Sequence, residues 1–279
     1  MAKSVILHVG PYRPVFSDLP ERLSRTTGAP LITGDRCPAL ECDLAYLLAW
    51  DRDEPPPCPL FIPYEAMRLC EDKRAQARVF QRARVSTPEW RLIGSEDELR
   101  AFAARERDRR WVLKWPLGCG GLGHRVLTPE TRVTRLWPIP LLVQELIEMD
   151  DPMVYRIHIA EGQLFGWSVR RFPPGAERSL WVAWSAGARY YHLPGDAPAE
   201  AAREAEKALS ALGLATSFGC VDLLQRRDGR WVVLEANTDG LTSYLSRDMD
   251  APDLVAEMDA RVASAFRRSA ERARRGPDA

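Results

Sequence analysis

The stretch from Cys220 to Leu241 reads CVDLLQRRDGRWVVLEANTDGL. Two apolar runs, Cys220 to Gln225 and Trp231 to Ala236, flank Asp228-Gly229, a dipeptide suited to the positive φ of a tight hairpin turn, so the stretch reads as two antiparallel strands. A two-residue turn at Asp228-Gly229 sets the register: residue 227 faces 230, 226 faces 231, and 222 faces 235. Asp222 and Glu235 are then a cross-strand pair of like charges on otherwise apolar strands, which destabilises a sheet unless something positive lies between them. Asn237 shares their face. Two carboxylates and an amide oxygen suit a hard, oxygen-preferring cation, and Mg2+ held in this way brings substrate phosphates with it. The plainer alternative is a solvated acidic pair on an edge hairpin. Against it stand Val232, Val233 and Leu234, a run that predicts burial on both faces.

Upstream, Trp111-Val112-Leu113-Lys114 reads as a strand and is followed by Gly118-Cys119-Gly120-Gly121-Leu122-Gly123. The run formally matches the dinucleotide fingerprint GxGxxG, with Glu145 at ribose distance downstream. That fingerprint needs a helix after the glycines, yet His124 to Pro140 holds three prolines and a short β-like run. A glycine loop between antiparallel strands instead folds over phosphates with its backbone amides, and Lys114 adds a point charge. Leu141 to Ile147 is a further strand.

Around these motifs the chain divides readily. Val5 to Val9, Leu31 to Thr33 and Leu44 to Trp50 are short apolar strands of a small α/β lobe, closed by Pro55, Pro56, Pro57 and Pro59. A helix starts at Asp72 and ends before Val85-Ser86-Thr87-Pro88. Ser95-Glu96-Asp97-Glu98 is a capping box opening another helix. Val154 to Val169 is a hairpin around Glu161-Gly162. Asp196 and Pro198 start an alanine-rich helix that Gly213 stops, and a final helix from about Asp250-Pro252 runs out in arginines.

The 279 residues are 46% hydrophobic and 28% charged, with 39 Lys and Arg against 39 Asp and Glu. A net charge of zero excludes a global basic field for nucleic acid or an anionic membrane, so any partner is read by a local site. No run reaches membrane-spanning length. Six cysteines without CxxC pairs are read as reduced thiols of a cytoplasmic protein, and the four histidines sit at no zinc-ligand spacing relative to them. Arginines of the final helix suit its macrodipole. Trp167, Trp181, Trp184, Tyr190 and Tyr191 either fill core or line an acceptor pocket.

From about Leu69 to Ala251 these residues resemble the ATP-grasp superfamily, and within it the carboxylate-amine ligases typified by the ribosomal-protein glutamate ligase and the amino-group-carrier ligase of lysine biosynthesis. Asp72-Lys73, then Lys114 with Gly118, Gly121 and Gly123 at the family spacing, then Gln144-Glu145-Leu146-Ile147, and finally Asp222, Glu235, Asn237, Gly240 and Leu241 carry the resemblance. The chain departs from the family pattern at Val154, in the acidic place of an Asp-x-Arg motif ending at Arg156, at Leu180 after Arg178-Ser179, and at Asp239.

The resemblance implies an α/β (α+β) ATP-grasp fold: a small α/β N-terminal lobe over 1–68, then an ATP-grasp domain over 69–279 whose two α+β lobes grip ATP. Its lid spans about 85–147 and its metal-binding core about 148–279. It implies an ATP-dependent ligase that forms an amide through an acyl phosphate and releases ADP and phosphate. Lys73, Lys114, Gly118, Gly120, Gly121 and Gly123 are assigned to phosphates, Gln144 to Ile147 to adenine, and Asp151 or its neighbour Asp150 to ribose. Asp222, Glu235 and Asn237 would hold Mg2+, with Mn2+ as an alternative, and Arg178, with Arg170 as the alternative, would stabilise the transferring phosphoryl group. Small-molecule or peptide carboxylates and amines are the implied substrates, with no nucleic-acid or membrane partner and a homodimer left open. An ATP-grasp phosphotransferase and a non-catalytic ATP-binding regulatory module are the rival readings, with a nicotinamide-dependent enzyme behind them.

Overall fold

Short apolar runs separated by turn residues assemble, in the computed structural model, into sheets flanked by helices; the residues described are 3–9, 18–34, 41–50, 52–118, 121, 123–238, 248 and 251–275. In the first lobe β1 (Ser4–Val9) pairs in parallel with both β2 (Leu31–Gly34) and β3 (Leu44–Trp50). Between β1 and β2 lies α1 (Leu19–Thr27), which the sequence reading omits: Pro20 sets its first turn, and Gly28, at φ 74°, ends it by donating to the Ser24 carbonyl. Helix α2 (Tyr64–Glu71) runs across residue 68, where the sequence places the lobe boundary. Its Tyr64 and Met67 pack on the first sheet and its Ala66 on the main core. Helix α3 (Lys73–Arg82) follows at once, N-capped by the Asp72 carboxylate, which accepts from Arg74 N–H at 2.8 Å.

The second lobe is an antiparallel sheet of β4 (Trp90–Ile93), β5 (Trp111–Lys114), β6 (Arg125–Val126) and β7 (Leu141–Glu145), in the order β4-β7-β5-β6. Helix α4 (Glu96–Arg105) covers it. The capping box forms with one offset: Ser95 Oγ accepts from Glu98 N–H at 3.1 Å, while the Glu98 carboxylate accepts from Gly94 N–H at 2.8 Å. Leu99, Phe102, Trp111, Leu113, Leu141 and Val143 give this lobe a core of its own.

The third lobe is built on β8 (Met153–Ala160), β9 (Gln163–Arg171), β10 (Arg189–His192), β11 (Phe218–Gln225) and β12 (Trp231–Asn237), in the order β10-β9-β8-β11-β12, all antiparallel. The β8–β9 turn is the expected Glu161-Gly162, with both residues at positive φ, 49° and 80°. Helix α5 (Ala199–Ala211) lies on β11 and β12 through Ala201, Ala205, Ala208 and Leu209. Gly219 permits this approach, since a Cβ there would lie 3.0 Å from Leu209 Cδ2 of α5. The last helix, α6 (Pro252–Arg275), sends Phe266 between Tyr46 and Phe61 of the first lobe, with ring centroids 5.0 to 5.5 Å apart. The first and third lobes thus share one aromatic cluster, while the second keeps its separate core.

The deciding hairpin requires a correction. Arg226 N–H donates to Arg230 O, Gly229 N–H donates to Arg226 O, and Gly229 sits at φ 86°, so the loop has three residues rather than two. Such a loop suits Arg227 and Asp228 in a right-handed turn closed by a left-handed glycine. Gln225 consequently faces Trp231 and Leu223 faces Val233, one step from the predicted register. A β-bulge at Leu234 then restores it. Asp222 faces Glu235 and Cys220 faces Asn237, as the two-residue turn had placed them.

Candidate active site

Sheet order decides what stands beside the two carboxylates. On β8, Arg156 lies directly opposite Asp222, and on β9, Ser168 lies opposite Arg156, so Arg156, Asp222 and Glu235 form a row across one face. Two residues along β9, Arg170 joins that face, paired across to Tyr190 of β10. The positive charge that the acidic pair requires is therefore built in. Asp222, fully buried, accepts from Arg156 Nε at 2.6 Å and Nη2 at 3.0 Å, and from Arg170 Nη2 at 3.3 Å. Arg170 also donates to the Val182 carbonyl at 2.6 Å and to the Tyr190 hydroxyl at 2.6 Å.

Facing this row are the lysines of the other elements. Lys73, at the start of α3, has its Nζ 3.6 Å from Glu235 Oε2 and also donates to the Gly118 carbonyl, while its backbone N–H donates to Pro116 O at 2.9 Å. Lys114 ends β5, buried, and donates to Gln144 Oε1 at 2.9 Å. Gln144 opposes Val112, so Lys114 and Gln144 are diagonal neighbours on one face of the lid sheet. Burial, aided by the charge of Lys73, pushes the Lys114 ammonium down to about 8 against the pull of Glu235 and Asp222. Burial also works against ionisation of Glu235, but Lys73, Lys114, Arg170 and Arg156 overcome it and hold the carboxyl well below its usual range. Four cationic side chains against two carboxylates leave the site formally positive by two. Lys73, Lys114 and Gln144 also line a narrow crevice between the sheets with Gln76, Phe80 and Leu234.

The glycine loop joins antiparallel β5 to β6, with Leu113 opposite Arg125. A strand therefore follows the glycines where a dinucleotide fingerprint needs a helix, which removes the nicotinamide reading. Gly118, Gly121 and Gly123 hold φ of 86°, 72° and 76°, and a Cβ on Gly123 would come within 3.0 Å of Trp115. Trp181 lies against this loop, in contact range of Gly121 and with its ring 5.8 Å from that of His124. Gly120, Gly240 and Leu241 lie outside the described residues.

Other predicted residues are placed elsewhere. Arg178 is more than half exposed and pairs with Asp151 at 3.2 Å, whereas its alternative, Arg170, is the arginine bound into the acidic row. Glu145 ends β7 in a two-pronged ion pair with Arg226, at 2.6 and 2.9 Å, which with the neighbouring backbone bond holds its carboxyl low despite partial burial. Leu146 spends its N–H on Arg110 O, and Ile147 is core beside Val154, Phe172 and Val182. Strand β7 thus stops two residues short of the predicted strand.

Gln76, passed over in the sequence, grips β12 between Glu235 and Asn237: its amide nitrogen donates to Ala236 O at 2.7 Å and its amide oxygen accepts from Ala236 N–H at 2.9 Å. A buried amide three residues after Lys73, on the inward face of a helix, is the signal that would have found it.

For a divalent cation the donor chemistry fits. Glu235 carries oxygens free of short hydrogen bonds among the described residues, Asn237 adds an amide oxygen on the same face, and Asp222 retains acceptor capacity on Oδ1.

No family model and no curated protein matches the chain. Solved structures do. The ATP-grasp ligase PsnB complexed with a minimal precursor is 16% identical over 95% of this chain and 100% of its own, with a TM-score of 0.67. The D-cycloserine synthetase DcsG is 18% identical over 97% and 99%, with a TM-score of 0.67. A RimK domain ATP-grasp protein from Sphaerobacter thermophilus is 18% identical over 94% and 99%, at 0.63. Likeness over nearly the whole length of each chain establishes that this chain has the ATP-grasp fold.

Proposed function

We propose that the chain is an ATP-dependent ligase joining a carboxylate to an amine. The observation that carries this reading is the convergence, from α3, the lid sheet and the third lobe's sheet, of Lys73, Lys114, Arg156 and Arg170 around Asp222 and Glu235 beneath a glycine loop. Such a site neutralises a triphosphate and the charge that spreads over a transferring phosphoryl group. A substrate carboxylate oxygen takes the γ-phosphoryl group, the bond to ADP breaks, and an acyl phosphate forms. An amine then attacks the acyl carbon, phosphate leaves with the bonding pair, and the amine gives up a proton as the amide forms. Lys73 and Lys114 bind phosphate oxygens, the loop amides orient them, and Arg170 meets the phosphoryl group. Glu235 and Asn237, with Asp222, would hold Mg2+ or Mn2+, which supplies charge neutralisation at the phosphates.

PsnB and the Microcystis aeruginosa macrocyclase MdnC have been solved with precursor peptides, and DcsG is a D-cycloserine synthetase, so the acid and amine are sought among peptides as well as free amino acids. A free thiol at Cys42 supports a cytoplasmic setting, and among the described residues no helix is long and apolar enough to cross a membrane. An ADP-release screen over paired acids and amines tests the reading. ADP and phosphate appearing only when both substrates are present is the expected result. AMP and pyrophosphate would remove it, a phosphorylated hydroxyl product would mark a phosphotransferase, and tight binding without turnover a regulatory module.

The depressed ammonium of Lys114 makes nucleotide binding pH-dependent. Free protein loses this proton near pH 8, and bound phosphate favours the charged form, so ATP binding takes up a proton around and above pH 8 and weakens as pH rises through it. For folding the sign is opposite: an unfolded lysine keeps its proton longer, so this group's burial penalty shrinks between about pH 8 and 10.5. Calorimetry in buffers of different ionisation heat should show the uptake in wild type and its absence in Lys114→Met.

A further inference from the structure

Tyr190 belongs to no motif of the sequence, yet it closes the charged row. It is buried on β10, and the cross-strand register places it directly opposite Arg170. Its hydroxyl accepts from Arg170 Nη1 at 2.6 Å, and its ring centroid lies 5.3 Å from the guanidinium carbons of both Arg170 and Arg156. Its backbone N–H donates to Asp248 at 3.1 Å, which ties the strand to the chain beyond the Glu235–Asn237 segment. Two guanidinium groups share one carboxylate, Asp222, so their mutual repulsion needs a further partner, and an electron-rich ring with an acceptor oxygen provides it. Among the described residues three of the five N–H groups of Arg170 are engaged, on Val182 O, Tyr190 Oη and Asp222, which leaves the guanidinium held in one orientation with donors to spare for an oxyanion.

We propose that Tyr190 is a positioning residue that aims Arg170 at the terminal phosphoryl group of the bound nucleotide; this rests on the ATP-site reading above. Its effect is therefore specific to the γ-phosphate. With Tyr190→Phe, the affinity for Mg-AMPPNP should fall roughly ten-fold, the scale of losing a hydrogen bond to a charged group, while the affinity for Mg-ADP stays within about two-fold. Calorimetric titration of both nucleotides against both proteins reads the ratio, with thermal unfolding alongside. Equal losses for the two nucleotides would mark a structural role only and overturn the proposal, as would unchanged binding of both. The ligase reading is judged separately by ADP release from wild type with paired acid and amine. Failure there together with a shifted AMPPNP-to-ADP ratio would overturn the ligase assignment and leave the positioning role standing, and no binding of either nucleotide by wild type would overturn both.

Discussion

Glu235→Gln is expected to lower acid- and amine-dependent ADP release by about 10²–10³-fold, the scale on which removal of one preorganised charge-stabilising group acts. The change keeps size and hydrogen-bonding capacity but removes the charge that Lys73 approaches at 3.6 Å and that draws Lys114 toward protonation. Two consequences distinguish it from a folding defect. Unfolding should stay cooperative with a moderate fall in Tm, smaller than for Asp222→Ala, because the change withdraws a carboxylate that four cations hold ionised but breaks no short hydrogen bond among the described residues. The ammonium of Lys114, deprived of its main anionic neighbour, should titrate lower still, moving the proton uptake on ATP binding to lower pH. Wild-type turnover in Glu235→Gln would remove this carboxylate from the proposed metal site.

Asp222→Ala should be the most destabilising change in the site. Removing one partner of a buried ion pair leaves the other charge unpaired at a cost of about 3–5 kcal/mol, and here two guanidinium groups, Arg156 and Arg170, lose their shared acceptor. For a chain of this size that corresponds to a fall in Tm on the order of 10 °C, measured by calorimetry or circular dichroism. Adding Arg156→Met to Asp222→Ala should recover part of the loss, since the second change withdraws a stranded charge. A Tm for Asp222→Ala within a degree or two of wild type would mean that the arginines find other partners and that Asp222 does not anchor them.

Local chemistry made much of the architecture legible. The hairpins at Glu161-Gly162 and Asp228-Gly229, the capped helix after Ser95 and the glycine loop between strands all announce themselves through residues whose backbone preferences act within a few positions. Short helices with few apolar residues did not. In α1 only Leu19, Pro20 and Leu23 are buried, and α2 is wedged between Pro63 and Asp72, so tertiary packing rather than pattern stabilises them. The facing of Asp222 and Glu235 was reached through a turn one residue too short, offset by the bulge at Leu234, which carries no local signal.

By itself, then, the sequence singled out the side chains proposed to carry the chemistry, two lysines, two carboxylates, an amide and a glycine loop, because each lies in a strand, turn or cap that local rules specify. Only the tertiary structure decided what neutralises the acids and which arginine belongs to the site. Arg156, Arg170, Tyr190 and Gln76 reach Asp222 and the Glu235 strand through the order β10-β9-β8-β11-β12 and the packing of α3 on β12, pairings between residues 20 to 160 positions apart. Strand order is set by global burial and connection, and no short window of residues encodes it.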